Sequence, residues 1–387
     1  MDFQEPEHIT MIRDTVRRFV EAEMPRDAAR KWDRENTFPR DIFDKLVALG
    51  LTGLTIDEEY GGSGRDIPAT MVVIEELSRR SLAVAVPYIM STCYAGMNLG
   101  ECASEEQKRD LLPKVVAGEM LFAYGWTEPD VGADLASVKT TAVRDGDELV
   151  INGSKRFCSG ATISGYIYAL VRSGPTDERY KNLSIVLIPP TAEGVSITGI
   201  DCMGMKGAAT TDVSFSDVRV PASNIIGGEE GWNRGWDFIV GSGLDVEKLE
   251  VAAIALGLAS AAFDDSWQYV QERKQFGKSI GSYQSTRHML ADMRTSLHSC
   301  RLMMMHAAWL AQQNQPCRLE TSMTKLHICE AAKKIALDAQ TILGAYGYAK
   351  DYDVERYLRD SLLMPIIGGS AAIQRNNITN WMNLPKK

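Results

Sequence analysis

Three stretches near the end of the chain repeat apolar residues at spacings of three and four: LEVAAIALGLASAAFDDSWQYVQERKQ, STRHMLADMRTSLHSCRLMMMHAAWLAQQ and TSMTKLHICEAAKKIALDAQTIL. Each is longer than the average globular helix of about 12 residues. An amphipathic helix draws most of its stability from covering its apolar stripe. Three in succession therefore demand a bundle, with further burial through oligomerisation. The run Met303, Met304, Met305 cannot face one side of a helix and reads as packing at core and interface rather than as a ligand box.

Upstream the period changes. From Leu121 to about Gly235 the chain carries short β-branched or aromatic runs, YIYALVRS, LSIVLIPP, GVSITGI and DVSFSDVRVP, bounded by Gly, Pro, Asp and Asn. RDGDELVINGSK has the form of a hairpin. From Pro6 to about Glu119 helical spacing returns in IRDTVRRFVEAEM, DIFDKLVALGL and ATMVVIEELSRR. The expected fold class is α+β and multidomain, as 387 residues exceed one ordinary core. An N-terminal helical domain covers 1–119, a middle β-barrel-like domain 120–236 and a C-terminal four-helix bundle 237–387.

Several function classes drop out. A net charge of −9 gives no basic face for nucleic acid. The seven cysteines are scattered without a CxxC, which fits reduced thiols rather than a disulfide framework. His298 with Cys300 and His327 with Cys329 are each two apart on helical segments, where side chains diverge, so no metal site is expected. EEYGGSGRD has glycines but no following Lys-Ser/Thr, and reads as a turn. The acidic, amphipathic start lacks the features of a signal or transit peptide. No apolar run suggests a bilayer span or membrane insertion. The expectation is a soluble, cytoplasmic protein.

Two features point to chemistry. In MPIIGGSAAIQR the pair Gly368–Gly369 marks a place where backbone can approach a ligand closely, yet no carboxylate, histidine or thiol stands beside it. In GLDVEKLEVAA, Glu247 and Glu250 lie three apart near the front of a helix beginning around Gly243. By themselves they read as two solvated carboxylates on a helix surface.

Five segments then fall in a telling order: YGWTEPDVGAD at 124–134, NGSKRFCSG at 152–160, FSDVRVP at 215–221, ERKQFGKSIGSYQ at 272–284 and GGSAAIQ at 368–374. With the helix–β–helix order they resemble the acyl-CoA dehydrogenase family over essentially the entire chain. The resemblance implies FAD, an acyl-CoA substrate, a homotetramer arranged as a dimer of dimers, and an electron-transferring flavoprotein as partner. It places Thr127 at the flavin ring, Phe157 against the flavin where Trp is usual, and Ser159 near the nitrogen that receives hydride, with Tyr124 and Trp126 flanking the same strand. Arg273, Gln275, Phe276 and Gln284 match positions that hold the ADP half of FAD, mainly that of a neighbouring subunit; an Arg beside a diphosphate is chemically apt. LGAYGY retains Gly344 and Gly347 of an LGG-x-G turn, while Thr341 stands where Gln is common and Gln340 lies one residue earlier. Ser370 keeps the hydroxyl of a GTS-like turn. Asp130, Ala133, Lys206, Ala208 and Ala372 depart from the family pattern.

In much of that family the base is a glutamate at the position of Gly368. In a subset resembling isovaleryl- and long-chain acyl-CoA dehydrogenases it sits on the LD-x-E-R helix, and the matching residue is Glu247, with Glu250 the weaker candidate and Lys248 in place of Arg. The Gly368 N–H is then implied as a donor to the thioester carbonyl. Tyr88, Met90, Tyr94 and Trp126 lie where the family lines its acyl pocket, and core packing accounts for them equally well. The function so implied is α,β-dehydrogenation of a short, medium or branched acyl-CoA, with Glu247 as base and flavin N5 as hydride acceptor. Alternatives are a crotonobetainyl-CoA reductase-like enzyme working in reverse, a desulfinase-like enzyme, or a non-catalytic relative.

Overall fold

A computed structural model describes residues 4–384. The first part is helical: α1 (Glu7–Glu23), α2 (Arg26–Glu35), α3 (Arg40–Val47), α4 (Ile67–Ser78), α5 (Leu82–Ile89), α6 (Asn98–Cys102) and α7 (Glu105–Val116). Polar caps start several of these helices. Ser104 and Gln107 form a reciprocal capping box on α7, and Asp66 accepts from the Ala69 N–H at α4. Between α5 and α6 the chain widens into a π-helical segment, Met90–Met97. The whole stretch Leu82–Cys102 is apolar and long enough to cross a bilayer, contrary to the sequence expectation, but 94% of its most apolar window is buried inside the fold. It is a core element here.

The middle part is a curled sheet of β1 (Phe122–Gly125), β2 (Thr141–Asp145), β3 (Glu148–Ser159), β4 (Tyr166–Arg172), β5 (Leu183–Ile188), β6 (Val195–Gly199) and β7 (Thr210–Pro221). The strand order is β1-β4-β2-β3-β7-β6, with β5 on β4. The anticipated hairpin is β2–β3, closed with Asp145 opposite Glu148. Strand β3 slips register against β7 between Lys155 and Cys158. That bulge puts Phe157 at φ 59° with its ring turned outward.

The last part comprises α8 (Gly235–Ile239), α9 (Ser242–Glu272), the short hairpin β8 (Lys274–Gln275) and β9 (Lys278–Ser279), α10 (Gln284–Gln312), α11 (Arg318–Leu343), α12 (Val354–Leu363) and α13 (Ala371–Trp381). The three long helices foreseen in the sequence are α9, α10 and α11, and the fourth place in the bundle is shared by the short α12 and α13. Helix α9 is the central member, packing on α10, α11 and α4. Its approach to α4 needs Gly257, where a Cβ would sit 2.3 Å from the Glu75 carbonyl oxygen. A buried cluster ties the same region together: Arg13 Nη1 donates to Glu75 (2.9 Å) and Glu76 (2.5 Å), and Arg301 also binds Glu75.

Candidate active site

The first turns of α9 face the glycine pair. Both glycines are left-handed, Gly368 at φ 57° and Gly369 at φ 76°, a conformation that side chains resist. An ideal Cβ on Gly368 would lie 3.8 Å from Glu247 Oε1 and 2.9 Å from Val251 Cγ2. The α9 carboxylate thus reaches the space that a side chain at 368 would enter. Lys325, buried on α11, donates to the Gly369 carbonyl at 2.8 Å and to that of Met364 at 3.4 Å. Gln374 donates to the Gly369 carbonyl at 2.9 Å. The turn is therefore pinned from two sides. Among the described residues the Gly368 N–H has no acceptor.

Glu247 makes no ion pair or hydrogen bond among the described residues. Burial pushes its carboxyl up to about 7, against the opposing pull of Lys325 and Lys248. Lys248 is itself held by Asp245 at 2.8 Å, and Asp245 also meets Arg318 at 3.5 Å. Lys325 escaped the sequence reading. Its only signal was a single charge in the apolar stripe of TSMTKLHICEAA.

An aromatic stack walls the site. Tyr94, on the π-helical segment, stacks on Tyr124 at 3.7 Å between centroids, and Tyr124 stacks on Trp126 at 4.3 Å. The Asn98 amide donates to the Tyr124 hydroxyl at 2.7 Å. Tyr88 and Met90 play another part. Tyr88 is fully buried, its hydroxyl donating to the Leu51 carbonyl at 3.0 Å, and Met90 packs under Gly160. Of the four residues considered for the acyl pocket, only Tyr94 and Trp126 stand at the stack.

The residues expected to meet a flavin gather beside it. The Arg156 N–H donates to the Thr127 carbonyl at 2.8 Å, which joins the end of β1 to the β3 bulge. Phe157 is 55% exposed, with the Arg156 guanidinium 5.2 Å from its ring centroid. The Ser159 hydroxyl lies 3.1 Å from that of Thr210. The Trp126 indole N–H is buried and has no acceptor among the described residues. An open aromatic face, hydroxyls and an orphaned N–H suit a flat, polar-edged ring system, so these residues fit a flavin.

A second group lies at the far end of α9. Arg273 sits over the Tyr346 ring at 5.6 Å, which brings the β8–β9 hairpin to the turn containing Gly344. Gln275 and Gln284 are exposed, Phe276 is 94% exposed and Gln340 is half-buried near Gly347. The 26 helical residues from Glu247 to Arg273 span about 39 Å. The two groups do not converge within one chain. Ser370 serves as the N-cap of α13, accepting from the Ile373 N–H at 3.4 Å, and Thr341 bonds back to the Leu337 carbonyl at 2.9 Å. Among the departures, Asp130 pairs with Lys139 (3.2 Å) and Lys206 with Asp201 (2.7 Å) at the surface.

A cavity of about 630 Å³ opens beside the start of α9, lined by Asp245, Val246, Pro316, Arg318 and Trp381 among others. Arg318 lies over the Trp381 ring at 5.2 Å.

Comparison with known proteins covers nearly the whole chain. Family models described as acyl-CoA dehydrogenase N-terminal, middle and C-terminal domains match residues 6–119, 123–218 and 233–383. A short-chain specific acyl-CoA dehydrogenase of Clostridium acetobutylicum is 34% identical over 97% of this chain and 98% of its own. An acryloyl-CoA reductase (NADH) of Anaerotignum propionicum is 34% identical over 97% of this chain and 94% of its own. The structure of butyryl-CoA dehydrogenase from Megasphaera elsdenii superimposes with a TM-score of 0.93 at 28% identity, covering 99% and 100% of the two chains.

Proposed function

The chain belongs to the acyl-CoA dehydrogenase family of FAD-dependent oxidoreductases acting on CH–CH bonds, and we propose that it dehydrogenates a short, medium or branched acyl-CoA between Cα and Cβ with Glu247 as base. What carries the reading is the Glu247 carboxylate facing Gly368, 3.8 Å from where a side chain there would begin. The base is present, delivered from a helix instead of from the turn.

Bound FAD supplies the acceptor for the hydride that leaves Cβ. The protein does the rest. Thr127, Ser159, Tyr124, Trp126 and Phe157 hold and orient the ring system, while Arg273, Gln275, Phe276, Gln284, Gln340 and Gly344 hold the adenine half belonging to a neighbouring subunit. Glu247 Oε takes the proton from Cα, and the electron pair of that bond moves toward Cβ as the double bond forms. Charge grows on the thioester oxygen meanwhile, and the unengaged Gly368 N–H is suited to meet it. The aromatic stack keeps water from the half-buried carboxylate, which preserves its basicity near neutral pH. Ser370 contributes by capping α13 and so fixing the turn. The electrons leave through an electron-transferring flavoprotein. The 34% identity to an acryloyl-CoA reductase supports the reverse direction as the alternative reading.

Anaerobic mixing of the purified holoenzyme with a panel of saturated acyl-CoAs tests this. At least one is expected to bleach the flavin. With that substrate, Glu247→Gln should slow bleaching by about 100- to 10,000-fold while FAD stays bound. Undiminished bleaching would remove Glu247 from the role.

A further inference from the structure

The acidic residues at the start of α9 differ in what they meet. Asp245 lines the open cavity and pairs with Lys248 and Arg318, Glu247 is half-buried opposite Gly368, and Glu250 is 4% exposed. Glu247 and Glu250, three apart, share one face of the helix. Glu250 Oε2 has no hydrogen-bond partner among the described residues. Around it stand the Cys93 thiol, which hydrogen-bonds the Glu250 carboxyl and leaves Oε2 open, the Tyr94 and Tyr124 rings, and Glu247 itself. No cation pairs with Glu250 among the described residues. An unpartnered buried carboxyl oxygen costs about 1–3 kcal/mol unless something binds it. A thioester seated with Cα at Glu247 and its tail running along this face of α9 would bring that tail toward this oxygen.

We propose that Glu250 is a specificity-determining residue that selects acyl-CoA substrates bearing a hydrogen-bonding oxygen (hydroxyl, carbonyl or amide) on the tail over plain hydrocarbons of equal length. The inference rests on the dehydrogenase reading and deepens it. Two carboxyls one turn apart in a buried site do not both ionise readily. Burial, and next the charge of Glu247, push the Glu250 carboxyl well above the usual carboxylate range, so it is a neutral acid when Glu247 is ionised. A neutral acid donates to an acceptor oxygen and offers its carbonyl to a hydroxyl or amide N–H. Three residues of helix rise about 4.5 Å, which sets the oxygen about three to four carbons beyond Cα.

The test compares hexanoyl-CoA with 5-oxohexanoyl-CoA and 5-hydroxyhexanoyl-CoA on the wild-type holoenzyme, Glu250→Gln and Glu250→Leu. Calorimetric binding of the matching 2-enoyl-CoA products gives a readout independent of turnover. Wild type should favour the oxygenated substrates by about 10-fold or more in kcat/KM, and the products in affinity. Glu250→Leu should erase or invert both preferences, and the isosteric Glu250→Gln should keep part of them. Equal losses on oxygenated and plain substrates would reduce Glu250 to a structural residue and overturn the proposal. So would a wild-type preference for hexanoyl-CoA. A preference for a tail bearing an ammonium group overturns the neutral-donor assignment. If no acyl-CoA bleaches the wild-type flavin, the dehydrogenase reading fails first and takes this inference with it.

Discussion

Glu247 is set by its burial and by two cationic neighbours that act against it. Burial raises its carboxyl to about 7, while Lys325 and then Lys248 hold it from rising further. Only the ionised form accepts the α-proton, so kcat/KM should fall about tenfold per unit below an acid limb near pH 7. Lys325→Met removes a cation, and its limb should move to higher pH by on the order of one unit. A limb that stays put, measured with the same acyl-CoA, would remove Lys325 from the electrostatics of the site. The same shift carries a stability sign. The folded chain keeps a proton that the unfolded chain releases above about 4.5, so this contribution to stability is lost as pH rises from about 4.5 through about 7. Glu247→Gln escapes that loss and should melt no lower than wild type at pH 8, which separates its slow turnover from any folding defect. The sequence singles out Glu247 because a motif flanks it, and the structure puts its carboxylate opposite Gly368. The sequence does not single out Lys325, for a lysine in an apolar helical stripe looks like any snorkelling surface residue until the Gly369 carbonyl appears above its Nζ.

At the scale of elements, the long helices were the most legible feature, since their period extends over many turns. The aromatic stack was not. Tyr94 reaches Tyr124 because the helix widens at Met90–Met97, and nothing in YIMSTCYAGM departs from ordinary helical spacing. Likewise the β3 bulge that turns Phe157 outward follows from register against β7, a partner more than 50 residues away in sequence. The glycine turn gives a sharper test. Gly368→Ala would put a methyl 2.9 Å from Val251 Cγ2 on a backbone at φ 57°. It should cost about 1 kcal/mol or more of stability through the strained backbone. By displacing the N–H at 368 it should also slow flavin bleaching by about 10- to 100-fold. Gly369→Ala suffers a similar backbone strain, but its methyl comes closest to the flexible end of the Gln374 side chain, at 2.7 Å, and meets Ile373 Cγ2 at an ordinary 3.6 Å. It should lose comparable stability and considerably less rate. Equal rate losses in the two variants would show that the turn acts through its rigidity and not through the donor at 368.

The whole molecule poses a problem of reach. Helix α9 runs about 39 Å from Glu247 to Arg273, and both ends carry residues suited to the same cofactor. Arg273 and the exposed Phe276 stand at the β8–β9 hairpin, which follows the opposite end of α9 from Glu247. A symmetric pair of chains would resolve this, each lending its Arg273 end to the other's Glu247 end. The arrangement makes a quantitative prediction. Glu247→Gln and Arg273→Ala chains, each impaired alone, are co-expressed with different tags and purified through both. If a site draws its base from one chain and its arginine from the other, every mixed pair contains one intact site of two. Doubly tagged material that consisted only of mixed pairs would then recover about half of wild-type turnover, or about a quarter where pairing within a larger oligomer is random. If each site were built within one chain, no mixed pair would hold an intact site, and turnover would not exceed that of the better single variant. FAD content provides a second measure, because the intact site should retain the cofactor through a desalting step that strips Arg273→Ala homomers.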